Sequence, residues 1–117
     1  MKVLVDSSVW IQHFKLGNQE LTYYLESSTV FTHPFIIQEL YLGRPKGHDE
    51  VFKRLHALPT LRVELDKDIL YSIDELNLKG RGIGIVDVHL LVSALKNNCK
   101  LFTLDKKLNR TFQELIK

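Results

Sequence analysis

The sequence predicts an α/β protein, a three-layer α/β/α sandwich with a mostly parallel central sheet. Short apolar stretches at Lys2 to Val5, Thr29 to Thr32 and Lys100 to Leu104 have the length and composition of buried strands. Longer segments with helical spacing separate them, and strands that alternate with helices pair in parallel through right-handed crossovers. Because 117 residues suit one hydrophobic core, we expect residues 1–117 to form a single domain.

The first half of the chain is predicted to contain three helices. Ser7 or Ser8 is suited to cap a helix that runs through Phe14, and Leu21 to Leu25 forms a second short helix. Proline is favoured at the first helical position, so the third helix runs from Pro34 to Gly43.

The second half is predicted to alternate helices with a further strand. Asp49 to Leu58 forms a helix, and the alternating apolar residues from Leu61 to Leu65 indicate a half-exposed edge strand. Asp66 caps the next helix, which ends near Gly80, and Asp87 to Lys96 is a strongly apolar helix. The pattern from Thr111 to Glu114 matches a capping box, which predicts a last short helix.

Four acidic residues stand at positions that suggest a shared pocket. Asp6 and Asp105 each follow a predicted strand directly, and functional sites in parallel sheets form at the carboxyl ends of strands. Asp87 begins an apolar helix, and Glu39 lies among apolar residues, where an unpaired carboxylate is unfavourable. Each acid taken alone is more often a helix cap or a surface group, but their joint placement predicts one acidic site.

Four carboxylates in one pocket repel one another, so either some are protonated or a hard cation binds them. Ligation by oxygen alone favours Mg²⁺ or Mn²⁺, and the chain has neither the CxxC nor the HExxH spacing of a zinc site. Such a site can polarise a phosphodiester and activate water. The four acids are therefore candidate metal ligands and catalytic residues.

Charge and composition agree with this interpretation. With 16 basic and 14 acidic residues, clustering four acids leaves an excess of six positive charges elsewhere, which favours a polyanionic substrate. No apolar run approaches the ~20 residues of a membrane span, and the apolar start is too short for a signal peptide. Cys99 is the only cysteine, which excludes an intrachain disulfide. We expect a cytoplasmic protein.

Four segments together resemble the PIN domain, and more closely the VapC-type toxins of toxin–antitoxin pairs. These segments are VDSSVWI at 5–11, IIQELYLG at 36–43, GIVDVHLLVSAL at 84–95 and LFTLD at 101–105. The resemblance extends from Val3 to about Leu108. No single segment is distinctive, but their order and separations are.

This resemblance implies that the chain is an endoribonuclease whose acidic quartet binds metal and drives RNA hydrolysis. Ser8 matches a hydroxyl residue often found two positions after the first aspartate, and Thr103 matches a threonine two positions before the last. The family also implies a homodimer and inhibition by a small antitoxin protein.

Basic residues near the quartet are candidates for contact with RNA phosphates. The first pair follows the third helix, and the remaining three follow the last acid of the quartet. These residues are Arg44, Lys46, Lys106, Lys107 and Arg110. A solvated charged surface explains them equally well. We interpret His89 as a hydrogen-bonded structural histidine, because it points about 200° around the helix from Asp87.

Two other functions remain open at this stage. One is a housekeeping RNA-processing nuclease with the same chemistry. The other is a metal-dependent phosphatase or a receiver-like domain, which also places acids at strand ends. A receiver needs an acidic pair near its first strand, and this chain offers only Asp6 there.

Overall fold

The structure, a computed structural model, describes residues 1–43 and 47–117. Its sheet contains the strands β1 (Val3–Val5), β2 (Val30–Phe31) and β3 (Lys100–Phe102) in the order β2-β1-β3. Both pairings are parallel. Three of the four predicted strands and the parallel sheet are therefore confirmed.

Seven helices surround this sheet in the described part of the chain. They are α1 (Ser7–Leu16), α2 (Gln19–Glu26), α3 (Pro34–Gly43), α4 (His48–His56), α5 (Asp66–Glu75), α6 (Ile85–Lys96) and α7 (Lys106–Leu115). None of them is long and apolar enough to cross a membrane. The predicted positions Arg44 and Lys46 lie outside the described residues.

The central strand β1 explains why the sheet has helices around it. Val3, Leu4 and Val5 are all fully buried, so side chains on both faces of this strand are covered. Helices α6 and α7 pack against β3, α1 packs against α3, and α5 packs against α6. Helix α6 adds Leu90 and Leu91 to the core. This packing holds the carboxyl ends of β1 and β3 firmly in place.

The predicted edge strand from Leu61 to Leu65 is wrong. The sheet gains only an isolated parallel bridge between Thr32 and Thr60, and the Leu61 N–H donates to the Thr32 carbonyl at 2.9 Å. Burial does not follow the apolar alternation, because Leu61 and Glu64 are buried whereas Val63 and Leu65 are exposed, and the backbone is not paired as a strand. The alternation in the sequence therefore does not mark a buried face of a strand.

Three predicted helix starts also differ from the structure. Asp6, rather than Ser7 or Ser8, is the N-cap of α1. Leu65 occupies the N-cap of α5, so Asp66 lies in the first turn instead of capping. Helix α7 begins at Lys106, and Thr111 is a buried residue inside it, not the start of a capping box.

Candidate active site

Asp6 is the most strongly fixed of the four acids. It follows β1, caps α1 and is only 5% exposed. Its Oδ1 accepts from the Ser7 N–H at 2.8 Å, and its Oδ2 accepts from Ser8 Oγ at 2.8 Å and from Thr103 Oγ1 at 2.7 Å. The Ser7 Oγ also lies 3.4 Å from Oδ1, but its one proton has a nearer acceptor in Glu39 Oε1 at 3.0 Å. A carboxylate has about four acceptor positions, so one position on Oδ1 remains for a further partner.

Ser8 and Thr103 act as connectors between backbone and carboxylate. Each hydroxyl donates its one proton to Asp6, and each accepts from the chain after β3: Leu104 N–H at 3.0 Å to Ser8, and Asp105 N–H at 3.1 Å to Thr103. The two hydroxyl oxygens also lie 3.4 Å apart, but no hydrogen bond joins them, because both protons are donated to Asp6. The two residues orient Asp6 relative to β3.

Asp105 lies at the same end of the sheet as Asp6. Strands β1 and β3 are adjacent and parallel, with Val5 opposite Phe102, and the Asp6 N–H donates to the Phe102 carbonyl at 2.9 Å. Asp105 is the N-cap of α7, and its Oδ1 accepts from the Leu108 N–H at 3.0 Å. We call Asp6 and Asp105, with their hydroxyl partners, the strand wall of the pocket.

Glu39 and Asp87 form the opposite side, which we call the helix wall. Glu39 lies on α3 and is exposed, and its Oε1 accepts from Ser7 Oγ at 3.0 Å. Since the Ser7 N–H donates to Asp6, Ser7 links the two walls. From the sequence, Ser7 is predicted only as a possible helix cap. The sequence shows that Ser7 is next to Asp6, but it does not show that α3 brings Glu39 to the Ser7 hydroxyl.

Asp87 lies in the first turn of α6 and is partly buried. Its pKa is raised to about 6, chiefly by burial and then by the negative charges of Asp6, Asp105 and Glu39, in that order. The charges of these three acids act on Asp87, so all four predicted acids lie in the same region of the molecule.

The four acids lie in one region but do not form a complete set of metal ligands. Within the described ranges, no three acidic, histidine or cysteine side chains are near enough to hold a metal as they stand. Four carboxylates in one region repel one another, and a cation would offset that repulsion. The donors are all carboxylate oxygens, with one position open on Asp6 Oδ1, so the residues fit a hard divalent cation.

Three of the predicted RNA-binding residues lie beside this pocket. Lys106, Lys107 and Arg110 are exposed on α7, directly after Asp105. The Lys107 side chain reaches the loop before α6, where a Cβ atom added to Gly82 would lie 3.0 Å from its Nζ. A mobile ammonium group at this place is suited to a phosphate contact.

His89 differs from the prediction made for it. It is buried, as expected, but its Nδ1 has no hydrogen-bond partner in the part of the chain that the structure describes. Its ring contacts Phe35 edge-to-face, with centroids 4.8 Å apart. The expected hydrogen bond is absent from the described residues, and aromatic packing orients the ring instead.

Comparisons with known proteins bear on the family and the fold of this chain. The PIN domain model matches residues 3–112. Ribonuclease VapC32 from two Mycobacterium tuberculosis strains, CDC 1551 / Oshkosh and ATCC 25618 / H37Rv, is 37% identical over 113 residues, covering 96% of this chain and 91% of the relative. The crystal structure of PAE2754 from Pyrobaculum aerophilum has a TM-score of 0.69 at 15% identity, covering 95% of this chain and 84% of that chain. The latter supports the fold alone, and the predicted α/β class is confirmed.

Proposed function

The chain belongs to the PIN domain family, and from that premise we propose that it is a metal-dependent endoribonuclease that acts as the toxin of a toxin–antitoxin pair. The proposed nuclease domain spans residues 1–117. The proposed catalytic and metal-binding residues are Asp6, Glu39, Asp87 and Asp105. We propose Mg²⁺ or Mn²⁺ as the ion and the cytoplasm as the place of action.

One observation carries the assignment of these residues. The pKa of Asp87 is raised first by burial and then by the charges of the other three acids, so residues far apart in the chain share one electrostatic environment. Such an environment favours a divalent cation over any neutral ligand. When bound, the cation supplies the positive charge that polarises a phosphodiester and activates a water molecule.

The chain's own residues prepare this chemistry. Asp6 is held by donors to both of its oxygens, which fixes the direction of its open acceptor position. Ser8 and Thr103 keep their protons directed at Asp6 and are positioning residues. Ser7 joins Glu39 to the same network through its hydroxyl. These contacts pre-organise the carboxylates before substrate arrives.

Substrate is proposed to approach along α7. Lys106, Lys107 and Arg110 are exposed there and offer three positive charges to the phosphate backbone. Arg44 and Lys46 remain predictions from the sequence. Contacts of this kind position RNA without reading its bases, so they support catalysis at many sequences.

Two protein partners complete the proposal. A cavity of about 410 Å³ lined by apolar residues of α1, α2 and α4, including Trp10, Phe14 and Leu55, suits the apolar face of an antitoxin helix. Homodimerisation is proposed because Leu65, Leu70 and Tyr71 are large apolar side chains that are more than half exposed. Sedimentation of the purified protein tests the dimer.

The enzyme activity is tested with purified protein and single-stranded RNA, p-nitrophenyl phosphate or acetyl phosphate. We expect internal cleavage of RNA in Mn²⁺ or Mg²⁺ and none in EDTA. Asp87→Asn should lose this activity, whereas Asp74→Asn, the same change at an exposed acid, should retain it. Hydrolysis of the small phosphates without RNA cleavage would instead indicate a phosphatase or a receiver-like domain.

The toxin role is tested in cells. Induction of the chain alone should slow growth, and Glu39→Gln or Asp105→Asn should relieve this effect. Co-expression of a short neighbouring gene product should also relieve it by forming a stable complex. A housekeeping nuclease would be tolerated without an inhibitor, so harmless induction of active protein would exclude the toxin role.

A further inference from the structure

A cavity of about 450 Å³ adjoins the acidic pocket between α3 and the start of α6. Glu39 lines this cavity and also belongs to the helix wall, and Asp87 lies two residues after Ile85, another lining residue. The volume falls within the range of small-molecule sites, roughly 300–1,000 Å³. If a polymer is bound at the acids, the chemical group next to the bound one would therefore reach this cavity.

The walls of the cavity suit a flat aromatic group. Phe35 and His89 line it, with ring centroids 4.8 Å apart and planes at 70°. Leu42 and Ile85 add apolar surface and are 88% and 59% exposed, which leaves them free to pack against a ligand. Nucleobases stack on aromatic and apolar side chains in most single-strand binders.

Polar groups without partners accompany these walls. His89 is 8% exposed, and its Nδ1 has no hydrogen-bond partner among residues 1–43 and 47–117. The exposed amide of Gln38 also lines the cavity and has both donor and acceptor atoms. The Nδ1 is shielded from solvent, so the edge of a ligand in the cavity would meet the Gln38 amide.

The charge around this cavity decides which part of an RNA chain can bind in it. Glu39 at its edge repels an anion, and no lysine or arginine from the described segments lines it. A phosphate is therefore disfavoured there, whereas a neutral base is not. The cationic residues of α7 lie beside Asp105 instead. The phosphate backbone and the bases of RNA would thus bind to different surfaces of the protein.

We propose that this cavity binds the base of a nucleotide adjacent to the scissile phosphate, stacked on Phe35 and contacted at its edge by the amide of Gln38. This proposal rests on the proposed nuclease function. It makes Phe35 and Gln38 specificity-determining residues, because a base that fits the cavity places the neighbouring phosphate at the acids.

The test uses a set of RNA oligonucleotides with one cleavage site. In each, a single nucleotide near the scissile phosphate is replaced by an abasic ribose, and kcat/KM is measured in Mn²⁺. For the wild-type protein we expect one adjacent position at which base removal lowers kcat/KM by about 5- to 100-fold, the usual range for loss of one stacked base. The Phe35→Leu variant should show a similar loss with intact RNA and little further loss at that position.

Two other variants keep the test decisive. Gln38→Ala changes an exposed residue, so folding is preserved, and it should reduce discrimination among the four bases at the same position. Phe31→Leu makes the same aromatic-to-aliphatic change at a partly buried residue of β2 that lines neither cavity, and it should retain the full abasic loss. Melting curves establish that each variant is folded.

Several results would overturn the proposal. These are an abasic loss equal in wild type and Phe35→Leu, or unchanged base preference in Gln38→Ala. Altered sedimentation of Phe35→Leu with an unchanged abasic loss would assign the cavity to a protein interface. If cleavage still depends on Asp87, only the base site has failed. Absence of any metal-dependent cleavage would remove the proposed function as well.

Discussion

On the strand wall, Asp6 accepts three hydrogen bonds and Asp105 caps α7, whereas on the helix wall Glu39 accepts one bond from Ser7. Asp87 accepts none from any described residue, and its pKa is raised to about 6 by burial and by its acidic neighbours. One side of the pocket is therefore fixed by folding. The other side carries electrostatic repulsion that a cation or a proton would relieve.

The largest expected effect tests whether both walls serve one ion. Asp6→Asn and Asp87→Asn should each lower kcat/KM for RNA by ~10²-fold or more, because each removes a negative charge that would hold the same cation. Initial rates at saturating Mn²⁺ provide the measurement. Wild-type cleavage by Asp87→Asn would show that the helix wall takes no part in catalysis.

The same two variants should differ in stability when EDTA removes metal. An asparagine at position 6 would direct its NH₂ group at either the Ser7 N–H or the two hydroxyls, so we expect a loss of about 1–3 kcal/mol in the free energy of unfolding. Asp87→Asn removes repulsion and should be neutral or stabilising. Urea unfolding measures both, and equal losses would abolish the distinction between the walls.

Acid should destabilise the support beneath the helix wall. His33, just before α3, is fully buried, accepts from the Phe35 N–H at 3.0 Å, and has its pKa lowered to about 4, chiefly by burial and then by His89, while Glu64 opposes the shift. In the unfolded state His33 therefore binds a proton below about pH 6.5, whereas in the folded state it does so only below about pH 4. Stability from neutral His33 is complete above pH 6.5 and falls as pH decreases.

We expect this linkage to amount to about 2 kcal/mol between pH 7 and pH 5. The matched variant is His33→Asn, which keeps an acceptor for the Phe35 N–H but does not titrate. The wild-type protein should lose more unfolding free energy than this variant over the same pH interval. Parallel pH profiles would show that His33 is protonated at its ordinary pKa.

The smallest expected effect concerns the link between the walls. Ser7→Ala keeps the N–H bond to Asp6 but removes the hydroxyl bond to Glu39, so cleavage should fall by about 2- to 10-fold with little change in stability. Ser27→Ala, at an exposed site at the end of α2, is the control. A loss as large as that of Asp87→Asn would mean that Ser7 contacts substrate itself.

The strand wall was largely predictable from the sequence. Asp6 and Asp105 follow short apolar runs, and the rule that parallel strands end together was enough to bring them close. Asp87 is partly buried, as expected of an acid in an apolar helix, whereas Glu39 is exposed, so burial among apolar residues was the wrong reason to single it out. The contact between Ser7 and Glu39 was not predictable, since it depends on how α1 packs against α3.

Local patterns misled where tertiary contacts decided the outcome. Leu61 to Leu65 has the alternation of a strand, but the described backbone pairs with the sheet only through the bridge at Thr60. Thr111 matches a capping box, yet it donates to the Lys107 carbonyl inside α7. The exposed lysines at the start of α7 concealed its apolar face, formed by Leu108 and Phe112.

Three of the four acids stand at the starts of helices, Asp6 and Asp105 as N-caps and Asp87 in a first turn. The aligned peptide dipoles give each helix start roughly half a positive charge. The backbone of α1, α6 and α7 thereby offsets part of the pocket's negative charge without any basic side chain. This compensation cannot be titrated or removed by a side-chain substitution, and it exists only while those helices are folded.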